Sequence, residues 1–144
     1  MRVARVYTNA TCNQCCGFCH TRRSHEDRRL VAPAAVRARI DADVTAGGEL
    51  VLTGGEPTMR RDLPALVAHG KRRGATRVIL ETNAALITPA LARALATAGL
   101  DLARVHLPAW GERCDAITRD PGGFVATLRG ARALADAGVA RDEL

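Results

Sequence analysis

The chain has 144 residues, a formal net charge of +6, 47% hydrophobic and 25% charged residues, which suits one globular domain with a real core and excludes a disordered chain. No apolar run approaches the roughly 20 residues that cross a bilayer, and residues 1–6 have no signal-like stretch, so a cytoplasmic protein without membrane contact is expected. Lys71 is the sole lysine, the arginines are scattered, and aromatic residues make up 3%, a pattern that lacks the clustered charge and stacking rings of a nucleic-acid surface, so no nucleic-acid partner is expected.

Residues 2–8 (RVARVYT) read as a first strand, followed by a cysteine-rich loop. Pro33 opens a helix on which Val36, Ile40 and Val44 recur every four residues, and Gly47-Gly48 ends it. Residues 49–53 (ELVLT) are a short apolar run of strand type. Asp62-Leu63-Pro64 starts a second helix with Leu63, Leu66 and Val67 on one face and Gly74 past its end. Residues 77–81 (RVILE) are a third strand. Thr88-Pro89 places an N-cap before a first-turn proline, Leu91, Leu95 and Ala98 line one helical face, and Gly99 stops that helix. Residues 102–107 (LARVHL) are a fourth strand. A polar loop through Pro121-Gly122-Gly123 leads to a last helix with Phe124, Leu128, Ala131 and Ala135 inward, closed by Gly138.

Four strand–helix units on short loops imply an α/β fold with a parallel sheet and right-handed crossovers, either a barrel fragment or an open sheet. Residues 139–144 lie where a fifth strand is expected to begin. The single domain, residues 1–144, is therefore expected to be truncated before that strand, leaving the fourth as an exposed edge.

Five cysteines without a secretory signal argue against a disulfide scaffold. Four of them, Cys12, Cys15, Cys16 and Cys19, crowd into one short stretch, which points to metal or redox chemistry. Cys12, Cys16 and Cys19 have the spacing C-x3-C-x2-C. Three thiolates on a loop after a strand can hold three irons of a [4Fe–4S] cube and leave the fourth iron open to a small molecule. Cys15, adjacent to Cys16, can hardly face the same cube without strain and reads as a bystander that fills apolar space, with a role as an alternative ligand the second reading.

The same loop admits other chemistries. Cys16-Gly17-Phe18-Cys19-His20 matches the C-x-x-C-H of c-type haem attachment, the thiols can crowd around a structural zinc, and either C-x-x-C pair can be redox-active. Cys114 has auxiliary-cluster and radical-relay alternatives beside that of a plain loop cysteine, whereas His20, His25 and His69 fall into no arrangement.

Thr53-Gly54-Gly55-Glu56-Pro57 directly follows the second strand. Paired glycines let backbone approach a ligand, and the glutamate can accept hydrogen bonds from an ammonium group. α/β folds place their sites at the carboxyl ends of parallel strands, the rim that the cysteine loop shares.

Together the two motifs resemble those of the radical S-adenosylmethionine enzymes, C-x3-C-x-aromatic-C after the first strand and G-G-E-P after the second, with Phe18 as the aromatic residue. The resemblance extends over essentially the whole chain. Glu81-Thr82-Asn83 resembles the family's T-N-G with Ala84 in place of the glycine, and Asp115-Ala116-Ile117-Thr118 with Pro121-Gly122-Gly123-Phe124 resembles a segment of peptide-modifying branches.

The resemblance implies a partial TIM-like (β/α) barrel of about four units. Its cofactors would be a [4Fe–4S] cluster on Cys12, Cys16 and Cys19 and S-adenosylmethionine at the unique iron. Phe18 would lie near the adenine, Gly54, Gly55 and Glu56 would hold the methionine ammonium, and Pro57 would fix the turn. Asn83 would be a polar contact, and His106 stands where many relatives carry a serine at the end of the fourth strand, either to hydrogen-bond the cofactor or as a satisfied core histidine.

The implied chemistry is reductive cleavage of S-adenosylmethionine to a 5′-deoxyadenosyl radical that abstracts hydrogen from a substrate, with the loop resemblance pointing toward a peptide or protein. An electron donor such as flavodoxin or ferredoxin is implied, and a second chain completing the barrel is one explanation of the short length. A non-catalytic iron–sulfur or zinc fragment of a truncated gene is the alternative function.

Overall fold

The structure, a computed structural model, describes residues 2–19 and 30–143, so His20 and His25 lie outside the described residues. Five strands, β1 (Val3–Tyr7), β2 (Glu49–Thr53), β3 (Arg77–Thr82), β4 (Leu102–Val105) and β5 (Ala140–Glu143), form one sheet in sequential order. Every neighbouring pair is parallel. Parallel neighbours need crossovers, and these carry α1 (Pro33–Asp43), α2 (Leu63–Arg72), α3 (Pro89–Ala98), the short α4 (Glu112–Thr118) and α5 (Gly123–Asp136). The result is one wall of a TIM-like barrel.

Side-chain alternation sorts the two faces of the wall. Ala4 and Val6, Leu50 and Leu52, Val78 and Leu80, and Ala103 and Val105 pack in one core against Val36 and Ile40 of α1, Leu66 and Val67 of α2, Leu95 of α3 and Leu134 of α5. The opposite face carries a small apolar row, Val51, Ile79 and Leu102, that follows the strand register. Beside it Glu81 of β3 is paired with Arg5 of β1 and, at 3.6 Å, with Arg104 of β4. β2 is buried along its whole length, as befits an inner strand of a parallel sheet.

Helix ends follow the local chemistry. Thr88 caps α3 by accepting from Leu91 N at 3.1 Å, with Pro89 next, and Gly99 ends the helix at φ 97°.

Three expectations are corrected. Residues 140–143 already form β5, in register with β4 from Leu102↔Ala140 to Val105↔Glu143, so the chain is not truncated before the fifth strand and β4 is not an edge. The short α4 replaces a stretch expected to be loop; its inward Cys114 and Thr118 give it no apolar stripe to reveal it. The inner face of α5 is Phe124, Thr127, Gly130, Ala133 and Leu134, whereas Leu128 is exposed. Close approach decides that face: a Cβ on Gly130 would lie 1.9 Å from Ala84 O, so the small residues must point inward.

A candidate cofactor site at the carboxyl rim

The loops after β1, β2, β3 and β4 meet at the carboxyl ends of the strands around an open cavity of about 200 Å3. The first loop supplies Cys12, Cys16, Phe18 and Cys19, the second Gly54, Gly55 and Glu56, the third Asn83 and the fourth His106. Of the residues expected to hold the cluster or S-adenosylmethionine, Pro57 alone does not line it. Pro57 is buried and opens a 3-10 turn, Pro57–Met59, that follows Glu56.

The cysteine loop is held from two sides. Cys19 N donates to Cys16 O at 3.1 Å, which turns the chain so that both thiols reach the cavity. Cys15 N and Gly17 N donate to Thr118 O and Ile117 O at the end of α4, at 3.0 and 3.2 Å. Gln14 Nε2 donates to Asp120 Oδ2 at 3.0 Å. Cys15 does not line the cavity; Arg119 Nη1 lies 3.9 Å from its sulfur. Burial pushes the Cys12 thiol up to about 11 and also raises Cys16, a cost that a bound cation would reverse.

The glycines serve the loop before they serve a ligand. A Cβ on Gly54 would lie 2.4 Å from Asn9 O, and one on Gly55 would lie 2.2 Å from both Ala10 O and Thr11 O. Their absence lets Gly55 N donate to Asn9 O and Glu56 N to Thr11 O, each at 2.8 Å. The expectation that these glycines make room for a ligand is thus refined, since the space above their Cα atoms is filled by the stem of the cysteine loop.

Glu56 is 1% exposed. Its Oε1 accepts from Thr58 N, Thr58 Oγ1 and Thr82 Oγ1 at 3.0, 2.6 and 2.6 Å, and its Oε2 from Asn83 N at 2.8 Å. Burial raises its pKa, opposed by these hydrogen bonds. A carboxylate offers about four lone-pair positions, two on each oxygen, so Oε2 still has room for one donor. An ammonium group suits that place.

Asn83 is used on every side. Its Nδ2 donates to Asn13 Oδ1 at 2.8 Å, its Oδ1 accepts from Ala85 N, and its carbonyl accepts from Thr127 Oγ1. Ala84, the residue in place of the resembling glycine, is buried at φ 59°, a left-handed conformation that glycine takes at less cost. His106 packs against Phe18 with ring centroids 5.1 Å apart. Burial lowers its pKa, and its Nε2 is a buried atom with no hydrogen-bond partner. A neutral imidazole with an orphaned nitrogen at a cavity wall calls for a polar ligand there.

On Glu81, burial works to raise the pKa, yet hydrogen bonds from Arg5 and Thr53 and the charges of Arg5 and Arg104 hold it below the usual carboxylate value. Cys114 is buried on α4 and does not line the cavity, and His69 pairs with Asp41 at 2.8 Å away from the rim. Sequence reasoning missed Thr58 and Thr82, the hydroxyls that orient Glu56, and Asp120, which anchors Gln14. Only position marked them: Thr82 lies inside the quoted Glu81-Thr82-Asn83 segment, and Thr58 and Asp120 each adjoin a quoted segment.

Among the described residues, no three His, Cys, Asp or Glu donors converge as they would around a single ion. Cys12, Cys16 and Cys19 nevertheless line one shared space from a single loop, which is compatible with one thiolate per iron of a polynuclear cluster. With the unused Oε2 position and the orphaned Nε2, the donor set fits a cluster and a polar, amine-bearing ligand.

A parallel wall with a thiol-rich loop after its first strand and a buried glutamate after its second defines an α/β protein of the partial-barrel kind with its site at the carboxyl rim. Residues 6–141 match the profile of the radical SAM superfamily, and the chain belongs to that family. The family uses a [4Fe–4S] cluster and S-adenosylmethionine.

The chain is similar to an Fe-coproporphyrin III synthase of Methanosarcina barkeri, 33% identical over 130 residues that span 89% of this chain and 32% of that protein. It is also similar to a probable GTP 3′,8-cyclase of Thermoplasma volcanium, 32% identical over 75% of this chain and 33% of the relative. Among solved structures, native anSMEcpe with bound AdoMet and a Cp18Cys peptide shares the fold at a TM-score of 0.74 and 18% identity, over 98% of this chain and 41% of that one. The chain spans about a third of the length of the curated relatives it matches. No helix among the described residues is long and apolar enough to cross a membrane.

Proposed function

We propose that this chain is the cofactor-binding portion of a radical SAM enzyme, with Cys12, Cys16 and Cys19 as the cluster ligands. The single observation that carries this is the convergence of those thiols, Glu56 and the unpartnered His106 Nε2 on one cavity, although they come from three separate loops. When bound, the cluster and S-adenosylmethionine supply one-electron cleavage of the sulfonium to a 5′-deoxyadenosyl radical, which takes a hydrogen atom from the substrate.

The chain's own residues bind and orient. Glu56 Oε2 would accept a hydrogen bond from the ligand's ammonium group, and Thr58 and Thr82 hold the carboxylate through its other oxygen. His106 Nε2 would offer a hydrogen bond to a polar group of the ligand, with the Phe18 ring of the cysteine loop packed beside the imidazole. Asn83 acts through Asn13, which it ties to the wall, rather than as a free contact. Cys15 does not line the cavity, and its backbone N–H serves the docking of the loop on α4.

The segment from Asp115 to Phe124, which resembles peptide-modifying branches, is engaged internally. Asp115 accepts from Gly122 N and Phe124 N, each at 2.7 Å, and Thr118 and Asp120 hold the cysteine loop. These residues therefore do not argue for a peptide, and the substrate is read more broadly as an organic molecule that reaches the inner face of the sheet. A one-electron donor of the flavodoxin or ferredoxin type supplies the reductant. β5 offers a parallel edge where the remaining wall would pair, whether from a second chain or the same polypeptide.

Anaerobic reconstitution with iron and sulfide, followed by dithionite and S-adenosylmethionine, tests the proposal. Formation of 5′-deoxyadenosine is expected; a chain that takes up the cluster and forms none is the non-catalytic fragment instead.

A further inference from the structure

Arg60 heads the fully buried side chains of the described residues by volume, at 2% exposed. Burying a guanidinium is costly unless it is paired and hydrogen-bonded, and an aliphatic side chain would fill the space without that cost. Arg60 Nε and Nη2 fork onto Asp62 Oδ1 and Oδ2 at 2.9 and 2.8 Å. Its Nη1 donates to two backbone carbonyls, Thr8 O at 2.9 Å and Val31 O at 2.6 Å.

Those carbonyls have a definite place in the chain. Thr8 directly follows β1, and Val31 lies two residues before α1, so they are the two stems of the segment that carries Cys12, Cys16 and Cys19. The stems also meet at an antiparallel bridge between Asn9 and Leu30. Arg60 itself sits just beyond the turn that follows Glu56, its N–H donating to Pro57 O at 3.0 Å. One side chain thus joins both ends of the thiol loop to the element that presents the glutamate.

We infer that Arg60 is a positioning residue that pins the two stems of the cysteine loop and sets the thiols at a fixed offset from Glu56. Asp62 is its orienting partner, since the fork aims Nη1 at the carbonyls. Only a guanidinium offers donors in a planar fork that can satisfy a carboxylate and two carbonyls at once. A lysine keeps the charge but has no planar fork, and a glutamine is shorter, neutral and has a single NH2 group.

The test uses the full chain, reduced and metal-free, with a maleimide reagent and mass-spectrometric readout of each cysteine, so it does not depend on the proposed cofactors. Cys114, buried on α4 and not in contact with Arg60, is the internal reference. R60Q is expected to speed labelling of Cys12, Cys16 and Cys19 at least tenfold while Cys114 changes less than twofold, with R60K in between. Iron uptake during reconstitution should fall in the same order. Unchanged loop labelling in R60Q, or loop thiols and Cys114 speeding up together, overturns the inference; if R60Q does not fold, R60K is judged by the same criterion. Failure of the wild-type chain to take up iron would sink the proposed function and leave this labelling result standing.

Discussion

The side-chain amide of Asn83 donates to Asn13 Oδ1 at 2.8 Å, tying the end of β3 to a residue beside Cys12. The same residue gives its backbone N–H to Glu56 Oε2. The thiol loop and the buried carboxylate are therefore referenced to one point, and the offset between them is a property of the rim rather than of either loop.

Replacing Asn83 by alanine removes the tie to Asn13 and the acceptor for Ala85 N. A net loss of about 1–3 kcal/mol is expected for two partly buried hydrogen bonds, measured by urea unfolding. Iron uptake should also fall, because Asn13 is released beside a ligand cysteine.

Glu56→Gln tests the carboxylate. One amide oxygen can keep Thr58 and Thr82, but the amide nitrogen then faces Asn83 N, donor against donor. The expected cost in stability is about 1–3 kcal/mol. Affinity for S-adenosylmethionine should drop at least tenfold with iron content unchanged, read by equilibrium binding to the reconstituted chain.

Alanine substitution separates the cysteines. C12A, C16A and C19A should each lose most of the reconstituted iron, whereas C15A should keep it, since Cys15 contributes its backbone N–H to Thr118 O and does not line the cavity. Iron and sulfide assays with absorbance spectra check this.

Gly130→Ala acts at a distance. The new Cβ would stand 1.9 Å from Ala84 O, so α5 or the loop after β3 must move. Overpacking of this kind costs about 1–3 kcal/mol, and displacement of Asn83 should lower S-adenosylmethionine affinity in the same variant.

His106 carries a pH dependence. Burial lowers its pKa in the folded chain, so below about pH 6.5 the unfolded chain binds the proton more readily and stability falls as the pH falls. Its contribution is whole above that pH and is lost as the pH drops through the folded value. H106Q should show a shallower decline in melting temperature between about pH 6.5 and 5 than the wild type; equal slopes would remove His106 from the buried set.

Much of this was legible in the residues themselves. The strand–helix alternation carries its own punctuation, as in Thr88-Pro89 and Gly99 around α3, and the cysteine and glycine motifs mark the rim loops by chemistry that few other segments need. What was not legible depends on close approach in space. Hydrophobicity favoured Leu128 for the inner face of α5, yet Gly130 under Ala84 O set the rotation of the helix. Thr58, Thr82 and Arg60 look like ordinary polar residues in sequence, and their roles arise only when the β2, β3 and β1 loops are folded against one another. Ala140-Arg141-Asp142-Glu143 has no apolar alternation to mark it as a strand, and becomes one because β4 offers its edge.

Electron paramagnetic resonance of the anaerobically reconstituted, dithionite-reduced chain, recorded with and without S-adenosylmethionine, tests the central claim most directly. Three thiolate ligands leave one iron open, so a reduced [4Fe–4S] spectrum whose g-values shift when S-adenosylmethionine is added is the expected result. A cluster spectrum that S-adenosylmethionine leaves unmoved, or a chain that retains zinc and takes up no iron, would contradict it.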